Sequence, residues 1–229
     1  MKLLRITADG LPLFKEKLDI CFYAQQRVSE EQKEQLHPLF ANVYLNPANG
    51  FIGINASGKT SVLKFILLVL GIMNNEPINH IETRDILGDA KNAVINTFFY
   101  SEKNKEICRL ETVITGKKTK TEGIVYSIVS EQLWSKRTDE ITTRKAMLDF
   151  EGRGPVMVRS GQEDFLSEDV SIMIARNKKT GENTRVVNLL LFTNINVLPF
   201  SEDIPAEVIT FLDPTIESLH FDEKDQKTV

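Results

Sequence analysis

The chain has 229 residues, 41% of them hydrophobic and 26% charged, enough for one sizeable core or a domain and a half of ordinary globular type. A net charge of −4 excludes a global basic field, so any contact with nucleic acid would need a local patch or a partner. Two cysteines without pairing or metal spacing and three scattered histidines (His37, His80, His220) exclude a disulfide framework and leave a zinc site or His-based catalysis little support.

In chain order, Met1-Lys2-Leu3-Leu4-Arg5 has no apolar h-region, and no signal peptide is expected. Cys21 and Cys108 read as small buried hydrophobes suited to a reducing cytosol, and a cytoplasmic location is expected. Residues 2–24 predict two strands. Leu3 to Thr7 is followed by an Asp9-Gly10 turn, then by Leu13 to Ala24 with apolar Leu18, Ile20, Phe22 and Ala24. Ser29-Glu30-Glu31-Gln32 has the form of a capping box and predicts a short polar helix ending before Pro38. A loop is expected through Val43-Tyr44-Leu45.

Gly53-Ile54-Asn55-Ala56-Ser57-Gly58-Lys59-Thr60 fits G-x-x-x-x-G-K-[ST], the phosphate-cradling loop of nucleoside triphosphatases, at every fixed position. Gly50 to Ile54 reads as the strand leading in, and Thr60 to Met73 as the helix leading out. That order lets successive backbone N–H groups point at phosphates while the helix dipole adds positive potential. Gly53 and Gly58 supply conformations and close approaches that a Cβ would obstruct. Lys59 supplies a mobile cation for the β- and γ-phosphates, and Thr60 a hydroxyl for Mg²⁺. The binding set is therefore Gly53, Asn55, Ala56, Ser57, Gly58, Lys59, Thr60 and Ser61, with Thr60 the expected metal ligand.

The helix after Thr60 is apolar nearly all round and must be covered on several sides. Its longest apolar run, Phe65 to Met73, is nine residues, well short of the about 20 that a membrane span needs. Asn74-Asn75-Glu76-Pro77 ends it, and 78–93 reads as mixed and partly helical. Val94–Tyr100, Ile107–Ile114 and Gly123–Val129 then predict an antiparallel meander joined by short polar connections. Lys117-Lys118-Thr119-Lys120 falls in the second connection and reads as a solvated hairpin tip, with a DNA contact as the alternative. Residues 131–165 carry little pattern; Trp134 reads as a packing residue. A helix is expected from Ser167 through Asn177, a polar loop over Lys178–Arg185, a buried strand at Val186–Phe192 and a helix over Pro205–Leu212.

Asn55 in the third place of the loop resembles the G-x-N-x-x-G-K-[ST] form of ATPases of the ABC and SMC/RecF/OLD type. Phe211-Leu212-Asp213-Pro214-Thr215-Ile216-Glu217-Ser218-Leu219 looks like a segment that precedes the signature motif in bacterial AAA family ATP-binding proteins. The resemblance implies an α/β P-loop NTPase (ABC-ATPase-like) lobe with a phosphate-loop strand–helix unit and an antiparallel β meander. It implies one domain over 1–229, with 1–130 the strand-rich nucleotide-binding part and 131–229 a mixed α/β extension. It also implies ATP with Mg²⁺ and, in the intact family, a homodimer that sandwiches two nucleotides. Some such proteins act in anti-phage or abortive-infection systems.

The departures are as informative. The family's Asp after four apolar residues is missing: Thr193 follows Leu189-Leu190-Leu191-Phe192, Asp149 follows only three apolar residues, and the run Phe211-Leu212 before Asp213 is broken by Thr210 and stopped by Pro214. Ser160-Gly161-Gln162 is a faint echo of the signature, and His220 cannot be placed as a switch. The expectation is an N-terminal portion of a longer ATPase, hydrolysis-deficient in itself. Two readings from other classes stay open. One is a small-metabolite kinase with Arg144, Arg153 and Arg159 in its lid. The other is a non-catalytic, nucleotide-switched interaction module.

Overall fold

The computed structural model describes residues 1–53, 58–119, 123–159, 166–182, 221–222 and 227–228. Two compact units divide the chain: residues 1–50 with 60–185, and residues 51–59 with 186–229.

In the first unit, β1 (Lys2–Asp9) pairs antiparallel with β2 (Leu18–Cys21) after a turn at Gly10. The second strand is shorter than expected because 13–17 form turns and bends, with Leu13 exposed to solvent. Helix α1 (Glu30–Lys33) starts on the predicted capping box, in which the Ser29 N–H donates to Gln32 Oε1 at 3.1 Å. Val43-Tyr44-Leu45 is not a loop. It forms β4 (Val43–Leu45), which pairs with β3 (His37–Phe40), because Val43 and Tyr44 bury their side chains while the backbone takes a ladder partner.

Helix α2 (Lys59–Met73) buries Phe65, Leu68, Val69 and Ile72, the i, i+3, i+4, i+7 stripe of one face. Met73 is buried as well, whereas Val62, Leu63, Ile66, Leu67 and Leu70 are half-buried rather than enclosed. Gly71 sits where a Cβ would come within 2.8 Å of Ile81 Cδ1, so the 3-10 turn at Ile78–His80 can pack close to the helix. A Schellman motif closes α2. The Glu76 N–H donates to Gly71 O at 3.0 Å and the Asn75 N–H to Ile72 O at 3.1 Å, with Asn75 at φ 69°.

The meander forms as predicted and is longer: β5 (Ala93–Ser101), β6 (Glu106–Thr119) and β7 (Gly123–Arg137), followed by β8 (Met157–Val158). Lys117, Lys118 and Thr119 lie in β6 itself, since the paired ladder runs on to the turn. Residues 131–137, unreadable by pattern, are the second half of β7. A bulge at Val129 shifts the alternation there, so a single period-2 pattern does not run through the strand. The sheet order is β2-β1-β5-β6-β7-β8.

Alternation along the strands builds two cores on opposite faces of this sheet. Phe98, Tyr100, Ile107 and Trp134 pack with Leu4, Val43, Met147 and Phe150 on one face. Phe99, Cys108, Leu110 and Leu133 pack with Met73, Ile172 and Met173 on the other. Trp134 is thus a packing residue, as expected, and its Nε1 donates to Arg153 O at 3.1 Å. Cys108 is fully buried and its thiol is pushed up to about 12 by burial, whereas Cys21 is only half-buried.

Along the free edge of β7, the Asn79 side chain behaves as a strand. Its Oδ1 accepts from Tyr126 N and its Nδ2 donates to Tyr126 O, both at 2.9 Å, which closes backbone groups that would otherwise invite edge pairing. Helix α3 (Met173–Thr180) starts later than the predicted Ser167 and runs three residues past Asn177. Ser167 instead bonds Asp169, and the helix is held by Asn177, whose Nδ2 donates to Met73 O and Asn75 Oδ1. In the second unit the described strands are β9 (Phe221–Asp222) and β10 (Lys227–Thr228), an antiparallel pair. The strand expected at 186–192 and the helix expected at 205–212 lie outside the described residues. The molecule is thus mixed α/β with an antiparallel sheet. No helix among the described residues is long and apolar enough to cross a membrane.

Candidate functional site

Of the eight loop residues, Gly53, Gly58, Lys59, Thr60 and Ser61 are described; Asn55, Ala56 and Ser57 lie outside. Gly58 has φ +86°, and a Cβ added there would meet no heavy atom within 4 Å. Glycine is required at this position by the backbone turn, not by crowding, and the space beside it is open. Helix α2 begins at the next residue. Its first-turn N–H groups have no intrahelical acceptor, which makes this end suited to negative charge. Lys59 donates from Nζ to Gly53 O at 2.8 Å, so the last fixed residues of the motif are tied back to the first. Thr60 is exposed and Ser61 half-buried in the first turn of α2. One turn on, Lys64 pairs with Asp85 at 2.9 Å.

These features fit the group the motif implies. A left-handed glycine with free space, a helix start and a flexible cation are what a polyphosphate needs, and the exposed Thr60 hydroxyl is a hard oxygen ligand suited to Mg²⁺. No cluster of three metal-ligating side chains occurs among the described residues.

One expected element is not formed as predicted. Residues 50–53 carry no strand, and Ile52 is fully exposed. A lead-in strand requires a ladder partner, and among the described residues no strand pairs with 50–53.

Asp149 does not end a strand; it follows the 3-10 turn Lys145–Leu148, and its Oδ1 accepts from Glu151 N at 2.9 Å. Thr193, Asp213, Ser160-Gly161-Gln162 and His220 lie outside the described residues. A further acidic pair, Asp222-Glu223, follows Leu219-His220-Phe221 in the sequence. Asp222 ends β9, but β9 pairs antiparallel with β10, and the histidine interrupts the apolar run. The three arginines of the kinase reading are committed within the fold. Arg144 donates to the carbonyls of Gln25, Gln26 and Asn42, Arg153 pairs with Glu140, and Arg159 donates to the carbonyls of Ser167 and Val170.

A buried carboxyl was also missed by sequence reasoning. Glu131 is 1% exposed and accepts hydrogen bonds from Thr112 Oγ1 at 2.8 Å, Ser171 Oγ at 2.8 Å and Ile172 N at 2.7 Å. Burial pushes its carboxyl above the ordinary carboxylate range, against the pull of these donors and of Arg159. It fastens the start of α3 to the sheet. Only the β6–β7 register, which sets Thr112 opposite Glu131, reveals the pairing.

No family model, curated protein or solved structure matches the chain.

Proposed function

We propose that this chain binds Mg²⁺·ATP through the loop Gly53–Thr60, as the N-terminal lobe of an ABC/SMC-like ATPase, and does not turn the nucleotide over efficiently by itself. The carrying observation is the motif itself, complete at every fixed position, with Gly58 left-handed beside open space and α2 starting at Lys59. In this reading the loop amides and the α2 N-terminus bind the phosphates, and Lys59 exchanges the Gly53 carbonyl for phosphate oxygens. Thr60 would hold the metal, which supplies charge neutralisation between the β- and γ-phosphates. Adenine is favoured over guanine because no Asn-Lys-x-Asp guanine-reading motif occurs; Asn177-Lys178-Lys179-Thr180 has Thr where Asp belongs.

Equilibrium binding of Mg²⁺·ATP to the whole chain and to Lys59→Ala tests this. Losing a charge-assisted contact of about 1.5–3 kcal/mol predicts roughly 10- to 100-fold weaker binding in the variant. Equal affinity of the two folded proteins would remove the proposal.

A further inference from the structure

We propose a second ligand site, separate from the phosphate loop and independent of the reading above: a cleft between α3 and the sheet that takes a small organic anion with an apolar body, a carboxylic acid. The cleft has a volume of about 440 Å³. Leu133 and Ser135 on β7 and Glu106 on β6 contribute from the sheet, Val156 and Met157 from the β8 edge, and Ala175, Arg176 and Lys179 from α3.

Arg176 is the reason to expect an anion. It is only 8% exposed, stacked on Phe99 with its Cζ 5.4 Å from the ring centroid. Two carboxylates flank it at ion-pair range, Glu106 at 3.7 Å and Glu182 at 3.8 Å, both too far for hydrogen bonds. Nε and Nη2 are buried with no hydrogen-bond partner. A buried guanidinium with unused donors is unfavourable, and its planar fork matches a carboxylate in two parallel bonds.

The balance of charges favours an anion. Lys103 is committed to the end of α3, donating to Thr180 O at 2.5 Å, and Glu182 is held by the Ser101 hydroxyl at 2.7 Å. Bonds to neutral groups leave these charges in place, so Arg176, Lys103, the exposed Lys179 and the Met1 ammonium, 3.9 Å from Glu182, stand against Glu106 and Glu182, two positive charges in excess. Leu133, Val156 and Met157 provide the apolar wall that a hydrocarbon or aromatic body would cover.

Benzoate is the probe, with neutral benzamide of the same shape as its control, followed by two-dimensional NMR titration of the whole chain. Benzoate should shift the amide signals of Met157, Ala175 and Arg176 saturably, and benzamide should bind about 10-fold more weakly or not at all. Ala175→Trp, at an exposed position on the cleft wall, should block the site without altering charge. Lys179→Glu should weaken benzoate about 10-fold, since it removes the excess charge. Arg176→Lys keeps the charge but loses the fork and should also weaken it. No saturable shifts, equal binding of benzamide, or unchanged benzoate binding in folded Ala175→Trp and Lys179→Glu would each overturn the proposal. Mg²⁺·ATP binding in Lys179→Glu should equal that of the unchanged chain, which separates this site from the phosphate loop.

Discussion

Glu131 shows how much one buried side chain can decide. Its two oxygens take three donors, two hydroxyls and one backbone N–H, from two different elements. Truncation to alanine leaves all three donors in a dry interior, and at about 1–3 kcal/mol for each group left unsatisfied the Glu131→Ala protein should be severely destabilised. Glutamine is a gentler change. Its amide oxygen can accept from Ile172 N while its NH₂ turns to the Thr112 and Ser171 hydroxyls, which rotate to accept. The sign of the pH effect follows from the raised pKa. A carboxyl that holds its proton more tightly when folded stabilises the fold fully below its unfolded pKa, and that stabilisation is lost as pH rises through the folded value. Thermal melts of Glu131→Gln and the unchanged chain should therefore converge below the ordinary glutamate value of 4.5 and diverge above it in favour of glutamine. Parallel pH profiles for the two proteins would contradict a buried carboxyl with a raised pKa.

At the level of elements, the end of α2 can be tested cleanly. Asn75 adopts the left-handed conformation that closes the Schellman motif, and its Oδ1 also accepts from Asn177 Nδ2 at 2.9 Å, joining α2 to α3. Asn75→Ala adds backbone strain of about 1–2 kcal/mol and loses the bond, so a total near 2–3 kcal/mol is expected. Asn75→Gly relieves the strain and loses only the bond, about 1 kcal/mol. Denaturant midpoints that rank glycine below alanine would refute this account. The Asn74-Asn75-Glu76-Pro77 stop was legible because left-handed Asn and a following Pro are local chemistry. The meander was legible for a similar reason, since runs rich in β-branched and aromatic residues at Val94–Tyr100 and Ile107–Ile114 are a local pattern. What escaped were features set by pairing rather than by neighbours: strand β4, the half of β7 beyond the Val129 bulge, and the start of α3, which is set by Glu131 from across the sheet. At the Gly53–Thr60 segment, the motif marked Gly58 and Lys59 directly. The Lys59–Gly53 contact and the absence of a strand over 50–53 depend on partners that no motif encodes.

For the molecule as a whole, binding and turnover make different demands. Holding a triphosphate needs directed N–H groups and a cation, which a single loop and helix start can provide. Breaking the γ-phosphate bond also needs a carboxylate placed to orient water and hold Mg²⁺, commonly delivered by a buried strand beside the loop. Four sequence positions compete for that role. Thr193 has no carboxyl, Asp149 follows a 3-10 turn, and Asp213 is stopped by Pro214. Asp222-Glu223 alone carries the paired acids, behind a run that His220 interrupts. Saturable Mg²⁺·ATP binding is therefore expected without multiple-turnover release of inorganic phosphate. The control is Glu223→Gln. If the unchanged chain releases phosphate over many turnovers and this variant binds ATP equally but stops releasing it, the acid lies at Glu223. The hydrolysis-deficient reading then falls, while nucleotide binding stands. If both proteins bind and neither turns over, the loop of this chain acts as a holder of nucleotide, and its output is the bound state itself.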